Sequence, residues 1–302
     1  MKITKLDELV ALARSKAKKK LVVVFANDDH TIEAVNEAVD NGIVDAVLTG
    51  VRANIEKICQ AHGIDVGKFE IVEQEDAIEC GLMCCDMINA GKAHLIMKGS
   101  ITTDDYMRCI LNKQRGLMEP GALLTHATVV EVKSLEKVLV VGDVAIIPAP
   151  TVDQKEKMLK FYINVAHKLG NEEPLVALIA PSEVPNPKIQ SSADAVELVE
   201  RAKAGAFGKS IVDGPMAMDL AVDKESVEIK KYKSPVGGNA DVILFPNIDA
   251  GNVFYKTAMK LLRCESAAIV VGAKVPAVLT SRGDSSKSKL CSIALAAVAT
   301  NV

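Results

Sequence analysis

The sequence predicts an α/β protein made of two α/β/α domains around a cleft. Three observations carry this. Short apolar runs alternate with helix-length amphipathic segments almost from the start, the pattern of parallel strands covered by helices on both faces. The chain has 302 residues, near the size at which one core stops growing and a second becomes favourable. The rhythm also breaks after residue 112, where two adjacent strand-like runs precede a stiff Pro148-Ala149-Pro150 segment.

Residues 6–19 place Leu6, Leu9, Val10, Leu12 and Ala13 on one helical face. LVVVFA (21–26) is continuously apolar, as expected of a strand buried on both faces. A helix over 30–41 ends at Asn41-Gly42, and a strand over 45–50 follows. Next come a helix over 51–61, a strand over 69–73, a helix over 75–90 closed by Gly91, and a strand over 93–97. HATVVEVK and KVLVVGDVA read as antiparallel strands joined around Ser134-Leu135-Glu136. A crossover near residue 140 gives one discontinuous domain, 1–138 plus 274–302, and a second domain, 139–273. Alternation resumes with a helix over 151–168, a strand over 175–180, a helix over 191–204, a strand over 209–213 and a helix over 215–222. KSPVGGNA reads as a loop, DVILFP as a strand, 249–262 as a helix, AAIVVG and AVLTS as strands, and 286–299 as the last helix.

Composition excludes several function classes. A formal net charge of -3 leaves no basic excess to hold a nucleic-acid backbone. Aromatic residues are 3% with no Trp, so base-stacking platforms are not expected. No apolar run approaches the ~18 residues of a membrane span, and the N-terminus has no apolar signal core, so a cytoplasmic address is expected. The seven Cys include no C-x-x-C pair. Cys80 and Cys84 share a helical face, but two thiols without partners make a poor metal site; buried reduced thiols and no metal are expected.

Open parallel sheets bind ligands beyond the carboxyl ends of their strands, so chemistry is sought where strands end in polar, Gly-containing turns. In LIMKGSITTDDYMR, Lys98 and Ser100 offer a charge and a donor. Gly99 would let the backbone approach a ligand. The alternative is an ordinary strand–turn–helix join with Thr102 as N-cap. In VPAVLTSRGDSSKSKL, Arg282 suits bidentate phosphate binding, and Asp284 is either a base or the cap of the last helix. FPNIDAGNVFYK sets Asp249, Asn252 and Lys256 at one strand end, with helix capping as the alternative for Asp249. Asp213-Gly214-Pro215 marks another strand end, and a plain turn explains it equally. His126 precedes a strand, and a lone His there is more often a hydrogen-bonded wall residue than a catalyst. Neither a Walker loop, nor Gly-x-Gly-x-x-Gly, nor Gly-x-Ser-x-Gly occurs.

Taken in order, MKGSITTDD, TH before a strand, GD…PAPT, DGPMAMDLAV, NADVILFPNIDAGNVFYK and GAKVPAVLTSRGDSSKSKL resemble the phosphate acetyltransferase and phosphate butyryltransferase family over essentially the whole length. MKGS and LTSRGDS point to the butyryl branch. The resemblance implies the two-domain fold of the isocitrate dehydrogenase-like superfamily, with the second domain inserted and the C-terminal helix returning to the first. It implies a homodimer or larger homo-oligomer. It also implies reversible transfer of an acyl group from acyl-CoA to inorganic phosphate, giving acyl phosphate, with coenzyme A as substrate or product and no bound cofactor. Catalytic roles would fall to Ser281, Arg282 and Asp284. Lys98, Gly99 and Ser100, reaching in from the facing domain, would complete an anion pocket. Thr102, His126, Asp213, Asn252 and Lys256 would contact substrate. The chain departs from relatives at Ser288, where acetyl enzymes carry an Asp, and at Ile147 and Leu220, where Asn is frequent. Rival readings are an acyltransferase fed by acyl carrier protein, a superfamily dehydrogenase, and a non-catalytic CoA- or acyl-phosphate-binding paralogue.

Overall fold

The computed structural model describes residues 2–280 and 284–300. They form two compact units. The terminal unit is Leu6–Ala122 together with the chain from Ala267 onward, and the central unit is Leu123–Ser266 together with the N-terminal residues up to Lys5.

The terminal unit opens with α1 (Leu6–Arg14) and β1 (Lys19–Val24). The helix is shorter than its periodicity predicts. Ser15 turns its hydroxyl onto the Leu12 carbonyl, and the run of lysines that follows leads into the strand: Lys18, just before it, meets Asp45, and Lys20, within it, meets Glu70. Then come α2 (Asp29–Asp40), β2 (Val44–Gly50), α3 (Arg52–Ala61), β3 (Phe69–Glu73), α4 (Ala77–Asn89), β4 (Leu95–Lys98) and α5 (Thr103–Ile110). The chain returns through β10 (Glu265–Val271), β11 (Ala277–Val278) and α11 (Ser286–Ala299). Spatial order is β3-β2-β1-β4-β11-β10, parallel except for the β10–β11 pair. The apolar runs of β1, β2 and β4 are buried, as strands covered on both faces must be. α11 packs against α1 and α2.

The central unit starts with the antiparallel pair β5 (Thr125–Val132) and β6 (Lys137–Gly142). It continues with α6 (Val152–Lys168), β7 (Leu175–Ile179), α7 (Gln190–Lys203), β8 (Ile211–Met216), α8 (Met218–Val222), α9 (Lys224–Lys230), β9 (Val242–Leu244) and α10 (Ile248–Lys256). Strand order is β5-β6-β9-β7-β8, with every pair after the first parallel. Its core gathers Leu139, Val141, Met216, Leu220, Ile243 and Phe245.

Four differences from the sequence expectation have local causes. β8 runs through Asp213-Gly214-Pro215 instead of ending there; its register against β7 shifts between Ala177 and Ile179, which accommodates a proline without an N–H. α9 lacks apolar periodicity but has a cap, since Asp223 accepts the Ser226 N–H at 2.9 Å. Helix α10 stops at Lys256 and passes into a wider turn over Thr257–Leu261, closed by Leu262 N–H to the Thr257 carbonyl. The units divide at 122/123 and 266/267, not at 138/139 and 273/274. The β5–β6 pairing, Thr128 opposite Val141, keeps that whole hairpin together. The N-terminal residues join the central unit through Ile3 N–H to the Leu169 carbonyl and Lys2 to Asp241.

One buried network fixes the start of β5 and the end of β6. Asp143 is 2% exposed. Its Oδ2 accepts from the Thr125 hydroxyl at 2.7 Å and the His126 N–H at 3.0 Å. Its Oδ1 accepts from the N–H groups of Ala145 and Ile146, both at 2.7 Å. The Tyr162 hydroxyl meets Thr125 Oγ1 at 2.6 Å, and burial raises that phenol well above its ordinary pKa, which keeps it a donor. Thr125→Val removes a partner from a buried carboxylate and from a buried phenol. Denaturant unfolding is expected to show a loss of about 2–3 kcal/mol; a loss below about 0.5 kcal/mol would show the network to be dispensable.

Candidate active site

Strand order positions the site. β2 and β3 extend the terminal sheet to one side of β1, and β4 lies on the other. Right-handed crossovers then send α2 and α3 to one face and α4 to the opposite face. The carboxyl ends of β1 and β4 are left facing a crevice, the usual ligand position in such sheets.

Both strand ends are shaped for it. After β1, Phe25 adopts a left-handed backbone, φ 54°, an uncommon and costly conformation for a bulky residue. It is held from both sides. Its N–H donates to Thr49 Oγ1 at 3.2 Å, and its carbonyl accepts from Asn27 N–H at 2.9 Å and Ser100 N–H at 2.8 Å. The turn delivers Asp28 as the N-cap of α2, with Oδ1 accepting the Thr31 N–H at 2.9 Å. On the neighbouring strand, Gly99 N–H donates to the Val24 carbonyl at 2.9 Å. A Cβ at Gly99 would sit 2.6 Å from the carbonyl oxygens of Val24 and Phe25. The absent side chain is thus required by the close approach to β1, and Gly99 also lines the cavity beside it.

Between these ends lies a cavity of about 190 Å³, lined by Asp28, His30, Thr31, Lys98, Gly99, Ser100, Thr280 and Lys289. Lys98 is 7% exposed, and its ammonium donates to the Gly99 carbonyl at 3.3 Å. Thr280 arrives from β11, which pairs in parallel with β4, Val278 opposite Met97. Tyr106 ties these two strands together, its hydroxyl 3.3 Å from the Ile96 carbonyl and 3.4 Å from that of Val278. Lys98 and the chain leading to Ser281 thus belong to one unit and adjacent strands. This corrects the expectation that Lys98 and Ser100 reach in from a facing domain. Ser281 and Arg282 themselves lie outside the described residues.

The remaining expectations fare differently. Asp284 does not cap the last helix: Ser285 does, accepting the Ser288 N–H at 3.1 Å. Ser288 is buried in the first turn, and its carbonyl accepts from the Ser292 hydroxyl. Thr102 is the N-cap of α5; its hydroxyl accepts the Asp105 N–H and donates to Asp105 Oδ2, and it does not line the cavity. His126, Asp213, Asn252 and Lys256 belong to the central unit. There His126 is buried on β5, with Nδ1 3.0 Å from the Thr128 hydroxyl. Asp213 accepts from Gly214 N–H and the Ser234 hydroxyl. Asn252 donates to the Val144 carbonyl at 3.1 Å, and the Lys256 ammonium lies over the Tyr255 ring. Asn247, not Asp249, caps α10. Leu220 sits in the apolar core, and Ile147 is buried as well.

Asp28 and Lys289 are the residues sequence reasoning missed. A signal existed for the lysine: the first turn of α11 carries Lys287 and Lys289 and no acid, against the helix dipole. All seven cysteines are free, and six are buried. Burial pushes Cys85 up to about 12 and Cys109 to about 11, so neither is a thiolate nucleophile. Among the described residues, no three His, Cys, Asp or Glu side chains are grouped to hold a metal ion, and no helix is long and apolar enough to cross a membrane.

The chain matches the family described as Phosphate acetyl/butaryl transferase over residues 5–83 and 76–297. It is 38% identical to a phosphate butyryltransferase of Clostridium acetobutylicum, covering 98% of each chain. It is 36% identical to a phosphate acetyltransferase of Thermotoga maritima, over 97% of this chain and 99% of that one. Among solved structures, a branched-chain phosphotransacylase from Enterococcus faecalis superposes with a TM-score of 0.82 at 27% identity, covering 94% of this chain and 99% of that chain. A family match that spans both units, joined to 38% identity over 98% of the chain, leaves one assignment: the chain belongs to the phosphate acetyl/butyryl transferase family.

Proposed function

We propose that this chain is a phosphate acyltransferase that moves a short-chain acyl group of the butyryl type between coenzyme A and inorganic phosphate. The observation that carries the reading is a small cavity holding the buried Lys98 ammonium at the end of β4, in a member of this family. A compact anion is the substrate such a cavity suits.

The chemistry asks three things of the protein. Phosphate must be held in line with the thioester carbonyl, the developing oxyanion must be stabilised, and the leaving thiolate must receive a proton. A phosphate oxygen attacks the carbonyl carbon, the carbon–sulfur bond breaks, and the proton of hydrogen phosphate ends on the coenzyme A sulfur. Lys98 holds the phosphate, and Ser100 at the cavity rim supplies a donor. Ser281 and Arg282 follow Thr280 in the chain and are assigned to the carbonyl oxygen and the phosphoryl group. Asp284 is assigned to the proton transfer. Thr102, His126, Asp213, Asn252 and Lys256 carry no chemical step in this scheme. An acyl carrier protein is disfavoured as donor, because the basic run offered to it is partly paired: Lys18 and Lys20 bond Asp45 and Glu70.

Thiol release from acetyl-, butyryl- and isobutyryl-CoA tests the reading. Release is expected only with phosphate or arsenate, and binding of the thioester without phosphate-dependent release would defeat it. Lys98→Met keeps the buried stem and removes the charge; kcat/KM is expected to fall about 10²–10³-fold. Asp284→Asn is expected to lower turnover about 10²–10⁴-fold while leaving thioester affinity near normal. Near-normal turnover in that variant would remove Asp284 from the mechanism.

A further inference from the structure

We infer that Lys289 is a second phosphate-binding residue, facing the same cavity as Lys98, and that Asp28 is the counter-charge that holds it while the seat is empty. The inference rests on the acyl-transfer reading for the identity of the anion, and on the cavity for everything else.

Lys289 lies one turn into α11 and is 5% exposed. Its stem is packed away while its ammonium opens onto the cavity, since among the described residues no fully buried side-chain nitrogen is without a hydrogen-bond partner. A lysine held this way normally has a close counter-charge. The protein provides one elsewhere. Lys155, also buried, donates to Asp194 Oδ2 at 2.6 Å, and the other Asp194 oxygen accepts from Gln190. Lys289 differs. Its ion pair is with Asp28 Oδ1 at 4.0 Å, beyond hydrogen-bond reach, and that oxygen already accepts the Thr31 N–H. Among the described residues, its ammonium makes no hydrogen bond. The space beside it is the cavity it shares with Lys98, Ser100 and Thr280.

The helix sharpens the argument. A cation in the first turn opposes the macrodipole, and α11 has no acid there to offset it. Two terms that repel each other are thus aimed at one hollow, an arrangement that an entering anion relieves. Among the described residues that line the cavity, Lys98 and Lys289 bring two ammoniums and Asp28 one carboxylate, a set that suits an anion such as phosphate better than a neutral group. Asp28 limits the repulsion between the lysines, and a phosphate takes its place beside Lys289. His30, also at the rim, has its Nδ1 3.6 Å from Glu33 and is directed to that carboxylate.

The test is phosphate affinity, read in two ways. Titration calorimetry with inorganic phosphate needs no turnover, and initial rates of thiol release give KM for phosphate and for butyryl-CoA separately. Lys289→Met is expected to weaken phosphate by about 10–100-fold in both measurements, with the butyryl-CoA KM within about two-fold. Lys289→Arg is expected to restore part of the loss. Asp28→Asn keeps the helix cap and removes the negative charge, so phosphate should bind several-fold more tightly, a gain a merely structural residue would not give. Unchanged phosphate affinity in Lys289→Met, or a loss confined to kcat or to melting temperature, overturns the inference. If Lys289→Met does not fold, Asp28→Asn decides it, and unaltered phosphate affinity there counts against the pair. Lys289-dependent phosphate binding without acyl transfer would sink the proposed reaction and leave the anion seat standing.

Discussion

The handedness of strand–helix–strand connections is the constraint on which the site depends. β1 has β2 on one side and β4 on the other, so right-handed crossovers carry their helices to opposite faces. Neither helix then covers the carboxyl ends of β1 and β4. Phe25, Asp28, Lys98 and Gly99 occupy those ends, and each is held by the neighbouring strand or by its own helix start. The Gly99–β1 contact shows how tight the constraint is, because the two strand ends touch through backbone atoms with no room for a methyl group.

Buried charge is managed in three ways in this molecule. Asp143 accepts four hydrogen bonds and serves as a structural post for the β5–β6 hairpin. Lys155 and Asp194 close on each other between α6 and α7. Lys289 meets its carboxylate only at a distance, beside open space. The first two arrangements lower the cost of burial within the protein itself. The third leaves part of that cost to be offset by a ligand, which is why a loosely paired buried cation is a stronger functional mark than a buried charge as such.

The thiols illustrate the complementary case. Cys80, Cys84, Cys85 and Cys109 crowd around α4 and α5, yet burial raises their pKa values and leaves them apolar filler. Their clustering in sequence suggested a metal pair only as a weak alternative, and their surroundings supply no further ligand among the described residues. Burial thus leaves these four thiols protonated and packed as part of the core of α4 and α5.

Local periodicities, and with them most of the elements, could be read from neighbouring residues. Continuous apolar runs such as LVVVFA, glycines closing helices, and the Lys98-Gly99-Ser100 turn were all legible, because each depends on residues a few positions apart. Where local signals were weak or competed, reading failed. α9 has a cap but no apolar face, and Asp284 and Ser285 are equally good caps until the backbone chooses Ser285. The neighbours of Lys98 across the cavity follow from packing. Asp28 and Lys289 come from opposite ends of the chain and converge because α11 packs against α2 and β11 pairs with β4. No periodicity encodes such a meeting. Strand order and helix packing are set by burial of the whole apolar surface, and the cavity with its two ammoniums exists only once that burial is complete.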